Sequence, residues 1–119
     1  MMRIALERSE YELGDIVRGS ALWTPEAGES PRAFYVRLGW RTEGRGSAHE
    51  ATLWEQRVPP TGMPMEIPFA VPFPPDWPPS YDGNLIRVIW ELVAGLDVAL
   101  RGDPTERVVL RLLPRRLPQ

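Results

Sequence analysis

The sequence predicts an all-β domain in which two antiparallel sheets, about eight strands together, stack face to face. Three observations carry this expectation. Short runs alternate apolar and polar residues with a period of two, the pattern of strands buried on one side. Fourteen prolines and ten glycines punctuate those runs. Between the punctuation marks no long stretch keeps a helical period. At 119 residues and 13.5 kDa the chain has room for one domain, expected over residues 1–113, with 114–119 as a frayed tail.

The first strand is read from Met2, Ile4 and Leu6 alternating with Arg3, Ala5 and Glu7. A turn follows at Leu13-Gly14-Asp15, where Gly14 supplies the positive φ that tight turns use. Ile16 to Trp23 then places Val17, Gly19, Ala21 and Trp23 in one phase, and Thr24 to Pro31 reads as a loop. In Arg32 to Arg41, Phe34, Val36, Leu38 and Trp40 face one way, and Ala33, Tyr35, Arg37, Gly39 and Arg41 the other. Gly44 and Gly46 mark a charged connection into His49 to Val58, where Ala51, Leu53 and Glu55 oppose Thr52, Trp54 and Gln56 and neither face is clearly apolar.

The cleanest alternation follows. Met63, Met65, Ile67, Phe69, Val71 and Phe73 share one parity, with prolines at 64, 68 and 72 in the other. Residues of one parity point their N–H groups to the same side of a strand, so these prolines strip donors from one side only. The expectation is an edge strand with a blocked outer side. Ser80-Tyr81-Asp82-Gly83-Asn84 reads as a turn, with Gly83 again free to take positive φ, and Leu85 to Ala94 as an apolar strand continued by Leu96 to Leu100. Gly95 between them suggests a bulge, and Leu92, Leu96 and Leu100 also fit a short helical stripe. Arg101-Gly102-Asp103-Pro104 turns into a last strand, Thr105 to Leu113, with Glu106, Val108, Leu110 and Leu112 in phase.

Composition excludes several function classes. There is no cysteine, hence no disulfide scaffold, thiol catalysis or thiolate metal site. All fourteen basic side chains are arginine, which removes Schiff-base lysine chemistry. A net charge of −2 argues against nucleic-acid binding driven by bulk charge, and Arg107, Arg111, Arg115 and Arg116 read as solvated residues, not a basic patch. No apolar run approaches the ~20 residues of a membrane span and no export signal is evident at the start, so the expected location is cytoplasmic, without membrane insertion.

Tyr11-Glu12-Leu13-Gly14-Asp15-Ile16-Val17-Arg18-Gly19, then Phe34 to Gly44, then Ile67-Pro68-Phe69 with Pro78-Pro79-Ser80-Tyr81-Asp82-Gly83 leading into Ile86 to Leu92, resemble in order and spacing the motifs of the arrestin family. The resemblance covers residues 11 to 98. It implies an immunoglobulin-like β-sandwich of the arrestin N-terminal type, bacterial in kind, as in retromer-type trafficking proteins and bacterial sporulation-control proteins. The chain departs from the family in holding about one sandwich where arrestins carry two, in having Leu13 at the proline of the first motif, and in lacking the lysines that sense phosphate.

Candidate chemistry is sparse. His49 is the only histidine, and Glu50 beside it points to the opposite face of a strand, so a solvated hairpin histidine is expected in preference to a general base. Glu91 and Asp97 sit in apolar surroundings. A pair of acids can run glycoside hydrolysis, but structural pairing of Glu91 with Arg87 or Arg37 is preferred. Pro78-Pro79-Ser80-Tyr81 matches a WW-domain ligand and Arg101-Gly102-Asp103 an integrin-binding tripeptide; a turn explains each. Trp23, Trp40 and Trp90 are read as core; for Trp54 and Trp77 sandwich packing is preferred, with an exposed aromatic anchor as the alternative.

The expectation is a non-catalytic interaction or scaffold module, docking a protein partner or a second copy of itself through unblocked sheet edges and loops. Its candidate contacts are Arg41, Glu43, Arg45, His49, Trp54 and Trp77; Gly14, Ser80, Tyr81 and Gly83 serve the turns. No cofactor and no metal are expected. The alternatives are a carbohydrate- or small-ligand-binding sandwich stacking its ligand on an exposed tryptophan, and a hydrolase working through carboxylates.

Overall fold

A computed structural model of the chain describes residues 1–44, 48–74, 78–82, 86–99 and 103–114. The alternating segments become nine strands: β1 Met2–Leu6, β2 Glu10–Glu12, β3 Ile16–Trp23, β4 Ala33–Gly44, β5 Glu50–Val58, β6 Met65–Pro72, β7 Tyr81–Asp82, β8 Ile86–Asp97 and β9 Thr105–Leu113. They form a small sheet, β1-β3-β6, and a large one, β2-β9-β8-β4-β5, with β7 beside β8. The inward phases are the predicted ones. Val17, Ala21, Trp23, Ile67, Phe69 and Val71 from the small sheet meet Phe34, Val36, Leu38, Trp90, Leu92, Leu96, Leu110 and Leu112 from the large one.

Aromatic contacts tie the layers together. Trp23 packs on Phe34, Phe73 meets Trp90 edge to face at 5.1 Å, and Tyr11 tilts against Phe73. Such pairs contribute about 0.5–1.5 kcal/mol beyond the area they bury. Trp90 is wholly buried, and its indole N–H donates to the Pro78 carbonyl at 2.7 Å.

β6 is an edge strand, hydrogen-bonded to β3 alone, as the proline parity predicts. Four readings need correction. Gly95 is not a bulge: β8 runs in unbroken register past it against β4 and up to it against β9, so the alternative of a helix over residues 92–100 is replaced by strand to Asp97. The glycine is needed because a Cβ there would lie 2.4 Å from the Tyr35 ring. The bulge falls on β5, where Leu38 faces Trp54 but Gly39 faces Thr52, leaving Leu53 unpaired. That extra residue switches the strand's phase, which is why neither parity of residues 49–58 looked apolar. The large sheet is not wholly antiparallel either: β2, a three-residue strand absent from the sequence reading, runs parallel to β9. Finally, the expected turn after Ser80 begins with the short strand β7, whose Tyr81 and Asp82 pair with Val88 and Arg87. Gly14 does take positive φ, at 94°. Gly83 and residues 115–119 of the expected tail lie outside the described residues.

Candidate interaction surface

The outer face of the large sheet is built from the polar parity of each strand: Tyr35, Arg37 and Arg41 on β4, Glu91, Val93 and Gly95 on β8, Arg107 on β9, and Glu50, Glu55 and Arg57 on β5. At its centre Glu91 is only 7% exposed. Arg107 Nη1 donates to its Oε1 at 2.6 Å, and Arg41 Nε lies 3.5 Å away. The register places both arginines diagonally from Glu91, across Gly39 on one side and Val109 on the other. Pairing of this acid is therefore as expected in kind but not in partner. Arg87 reaches Glu43 at 3.8 Å instead, and Arg37 lies over the Tyr35 ring at 5.6 Å.

Arg41 also bonds Glu43. That bond, with Glu91 nearby, holds the guanidinium pKa above its usual value despite partial burial; the same bond holds the Glu43 carboxyl below the ordinary range. Between Arg37, Arg41, Glu50, Thr52, Glu91 and Arg107 lies a cavity of about 90 Å³. It has room for a few waters and is well below the ~300 Å³ at which small-molecule sites begin.

Tyr35 belongs to the polar parity yet is 2% exposed. Arg57 stacks 4.7 Å over the ring, Gly95 lies beneath it, and its hydroxyl donates to Asp103 Oδ2 at 3.0 Å. Burial, then the bond to the Asp103 carboxylate, raise its pKa above the usual 10.0. Asp97, the second acid singled out from sequence, takes hydrogen bonds from Arg32 at 2.9 Å and Arg57 at 3.3 Å. Asp103, the only described residue of the integrin-like tripeptide, is thus engaged inside the fold.

The remaining candidates disperse. His49 is exposed in the β4–β5 hairpin, its backbone N–H donating to Thr42 Oγ1 at 2.9 Å. Arg41 and Glu43 lie together on β4; Arg45 and Trp77 are outside the described residues. Trp54 points inward and is half-buried, tilted against Phe69 at 5.8 Å, so it is no free stacking platform. Ser80 bonds β9 twice: its N–H donates to the Leu112 carbonyl at 2.8 Å, and its Oγ accepts from the Leu112 N–H at 2.9 Å. With Pro78 tied to Trp90, the WW-like segment is stitched to the core. Arg111 approaches Glu10 at 3.8 Å, so the C-terminal arginines that are described already have acidic neighbours.

The sheet edges differ sharply. β6 offers its outer side with Pro68 and Pro72 in the outward parity. β5, the last strand of the large sheet, has nine residues, no proline and nothing hydrogen-bonded beyond it among the described residues. Its Glu55, Gln56 and Arg57 are exposed. Sequence reading named Trp54 here but not these three, which only the place of β5 at the end of its sheet brings out.

No protein-family model matches the sequence, and no curated protein matches it. Among solved structures, the crystal structure of Spo0M, the sporulation control protein from Bacillus subtilis, is similar, with a TM-score of 0.66 and 20% identity. The match covers 94% of this chain and 48% of that one, so the chain spans about half of Spo0M's length. Two stacked sheets in this strand order, together with that likeness, give the chain an arrestin-like β-sandwich fold.

Proposed function

We propose that this chain is a non-catalytic protein-interaction module that docks partners by adding a strand to the open edge of β5. One observation carries the reading: of the strands that end the two sheets, β1 and β6 in the small one and β2 and β5 in the large one, β6 has proline at outward positions 68 and 72, β1 and β2 are only five and three residues long, and β5 runs nine residues without proline. Unpaired N–H and C=O groups along an edge are a template for another strand, and natural sheets protect the edges they do not use. The state of the acids supports the non-catalytic part. Glu91 is engaged by Arg107 and Arg41, and His49 sits apart in a hairpin, with no carboxylate hydrogen-bonded to it among the described residues. The arrestin-like fold is compatible with a regulatory role, and a cytoplasmic location is part of the same proposal. No helix among the described residues is long and apolar enough to cross a membrane.

The test is affinity capture from the native host, with the wild-type chain and Gln56→Lys as parallel baits. Gln56 is exposed, and a charge on an edge is a standard way of closing it. Proteins held by the wild type and lost with Gln56→Lys support the reading. Identical captures with both baits overturn it.

A further inference from the structure

We infer that the β5 edge pairs with the β5 edge of a second copy of this chain, antiparallel, about a two-fold axis through Gln56. The inference rests on the docking role proposed for β5 and names its occupant. Two independent features of the strand select the same register.

The first is geometric. The bulge leaves Leu53 out of register, and Pro59-Pro60 ends the strand on the other side, so the regular part of the edge is Trp54 to Val58. The midpoint of that stretch is Gln56. A two-fold axis there uses all of the regular edge and forces neither the bulge nor a proline into the new ladder.

The second is chemical. About Gln56, residue 55 of one copy faces residue 57 of the other, and residue 54 faces residue 58. Glu55 then meets Arg57 twice on the outer face, where both side chains are exposed, and Trp54 meets Val58 twice on the inner face, where both are half-buried. Moving the axis one residue either way sets Glu55 against Glu55 or Arg57 against Arg57. Moving it to Trp54 faces Leu53 with Glu55 and leaves Arg57 opposite Ala51. Opposite charges and apolar pairs directly across an antiparallel ladder each stabilise it, and like charges destabilise it. The axis at Gln56 satisfies both faces at once.

A single five-residue strand pair is a small interface, below the ~1,200 Å² of stable complexes, so dimerisation is expected to depend on concentration in the micromolar range. Sedimentation of the wild type from about 1 µM to 1 mM should show the 13.5 kDa chain passing to twice that mass. Glu55→Arg and Arg57→Glu should each weaken the dimer by at least about tenfold, since each turns two attractive pairs into repulsive ones. An equimolar mixture of the two should recover it as a heterodimer, because both facing pairs are then opposite in charge.

Arg57 also bonds Asp97 and covers Tyr35, so a second readout does not depend on it. The chain has no cysteine, and facing residues of an antiparallel pair lie within disulfide reach. Gln56→Cys should cross-link to a dimer on mild oxidation, and Thr52→Cys should not. A wild type that stays monomeric to 1 mM overturns the inference, as does a dimer that resists cross-linking through residue 56. If the chain is monomeric while capture of host proteins still depends on Gln56, self-pairing fails and the docking reading stands. If capture is also indifferent to Gln56→Lys, both fail.

Discussion

Trp90 and Glu91 are neighbours on β8, point to opposite faces of the large sheet, and are both almost completely shielded from water. The means differ. Trp90 is covered by the small sheet, through Phe73 and the core beneath it. Glu91 lies among side chains of its own sheet, Arg41 and Arg107, whose guanidinium groups reach its carboxylate. Burial on the inner face thus depends on a second layer, and on the outer face on cross-strand register alone. Tyr35 obeys the outer rule, enclosed by Arg57 above and by the absence of a side chain at Gly95 below.

The comparison makes predictions of unequal size. Trp90→Ala should cost about 3–5 kcal/mol in chemical denaturation, the usual penalty for emptying an aromatic site in a core. A cost near zero would show that the small sheet does not seal the inner face. Gly95→Val should cost about 1–3 kcal/mol by forcing the Tyr35 ring aside. Most of that cost should vanish in a Tyr35→Ala background, and additive losses in the double-mutant cycle would remove Tyr35 as the cause. Glu91→Ala should cost about 1–2 kcal/mol, because the arginines left behind can still reach water, while Glu91→Met should be close to neutral.

Two pH effects are smaller. The pKa of Tyr35 is higher in the folded chain than its unfolded value of 10.0. Between the two values the folded state keeps a proton that the unfolded chain has lost, so stability should fall as pH rises past 10. Tyr35→Phe should flatten that slope. Glu43 works in the opposite sense. Its folded pKa lies below the ordinary 4.5, so its contribution is complete above that value and fades as pH falls through the folded pKa. Glu43→Gln should remove this portion of the acid dependence of the melting temperature, and an unchanged acid limb would show that Arg41 does not hold Glu43 in solution.

The inner face was legible in the sequence because its rule is local: Val17, Ala21 and Trp23, or Ile67, Phe69 and Val71, declare themselves by parity alone. The same holds for β6, whose prolines write the blocked side into the chain. The outer face was not legible to the same degree. Gly95 looked like a bulge because its reason, the Tyr35 ring, lies sixty positions earlier in the sequence. Arg87 and Arg37 were the neighbours that proximity and parity suggested for Glu91; which arginine reaches it depends on register between strands, and on competition from Glu43 and Tyr35 for the others. β5 concealed its inward side because Leu53 changes the phase in mid-strand. β2 is three residues long, too short to show any period. The candidate surface was half legible: the hairpin charges drew attention, while the exposed triplet Glu55, Gln56 and Arg57 is notable only once β5 is known to be the last strand of its sheet.

The parallel pairing of β2 with β9 has a consequence for how the protein is made. Residues 10–12 wait for residues 111–113, so this corner closes only after every strand between them has been made. Until then Tyr11, which ends with 1% exposure, has no neighbour at Leu112, and the nascent polypeptide carries a ring that this contact has yet to cover. Contacts this distant in sequence slow folding, so that ring is completely buried only once β9 has joined the sheet.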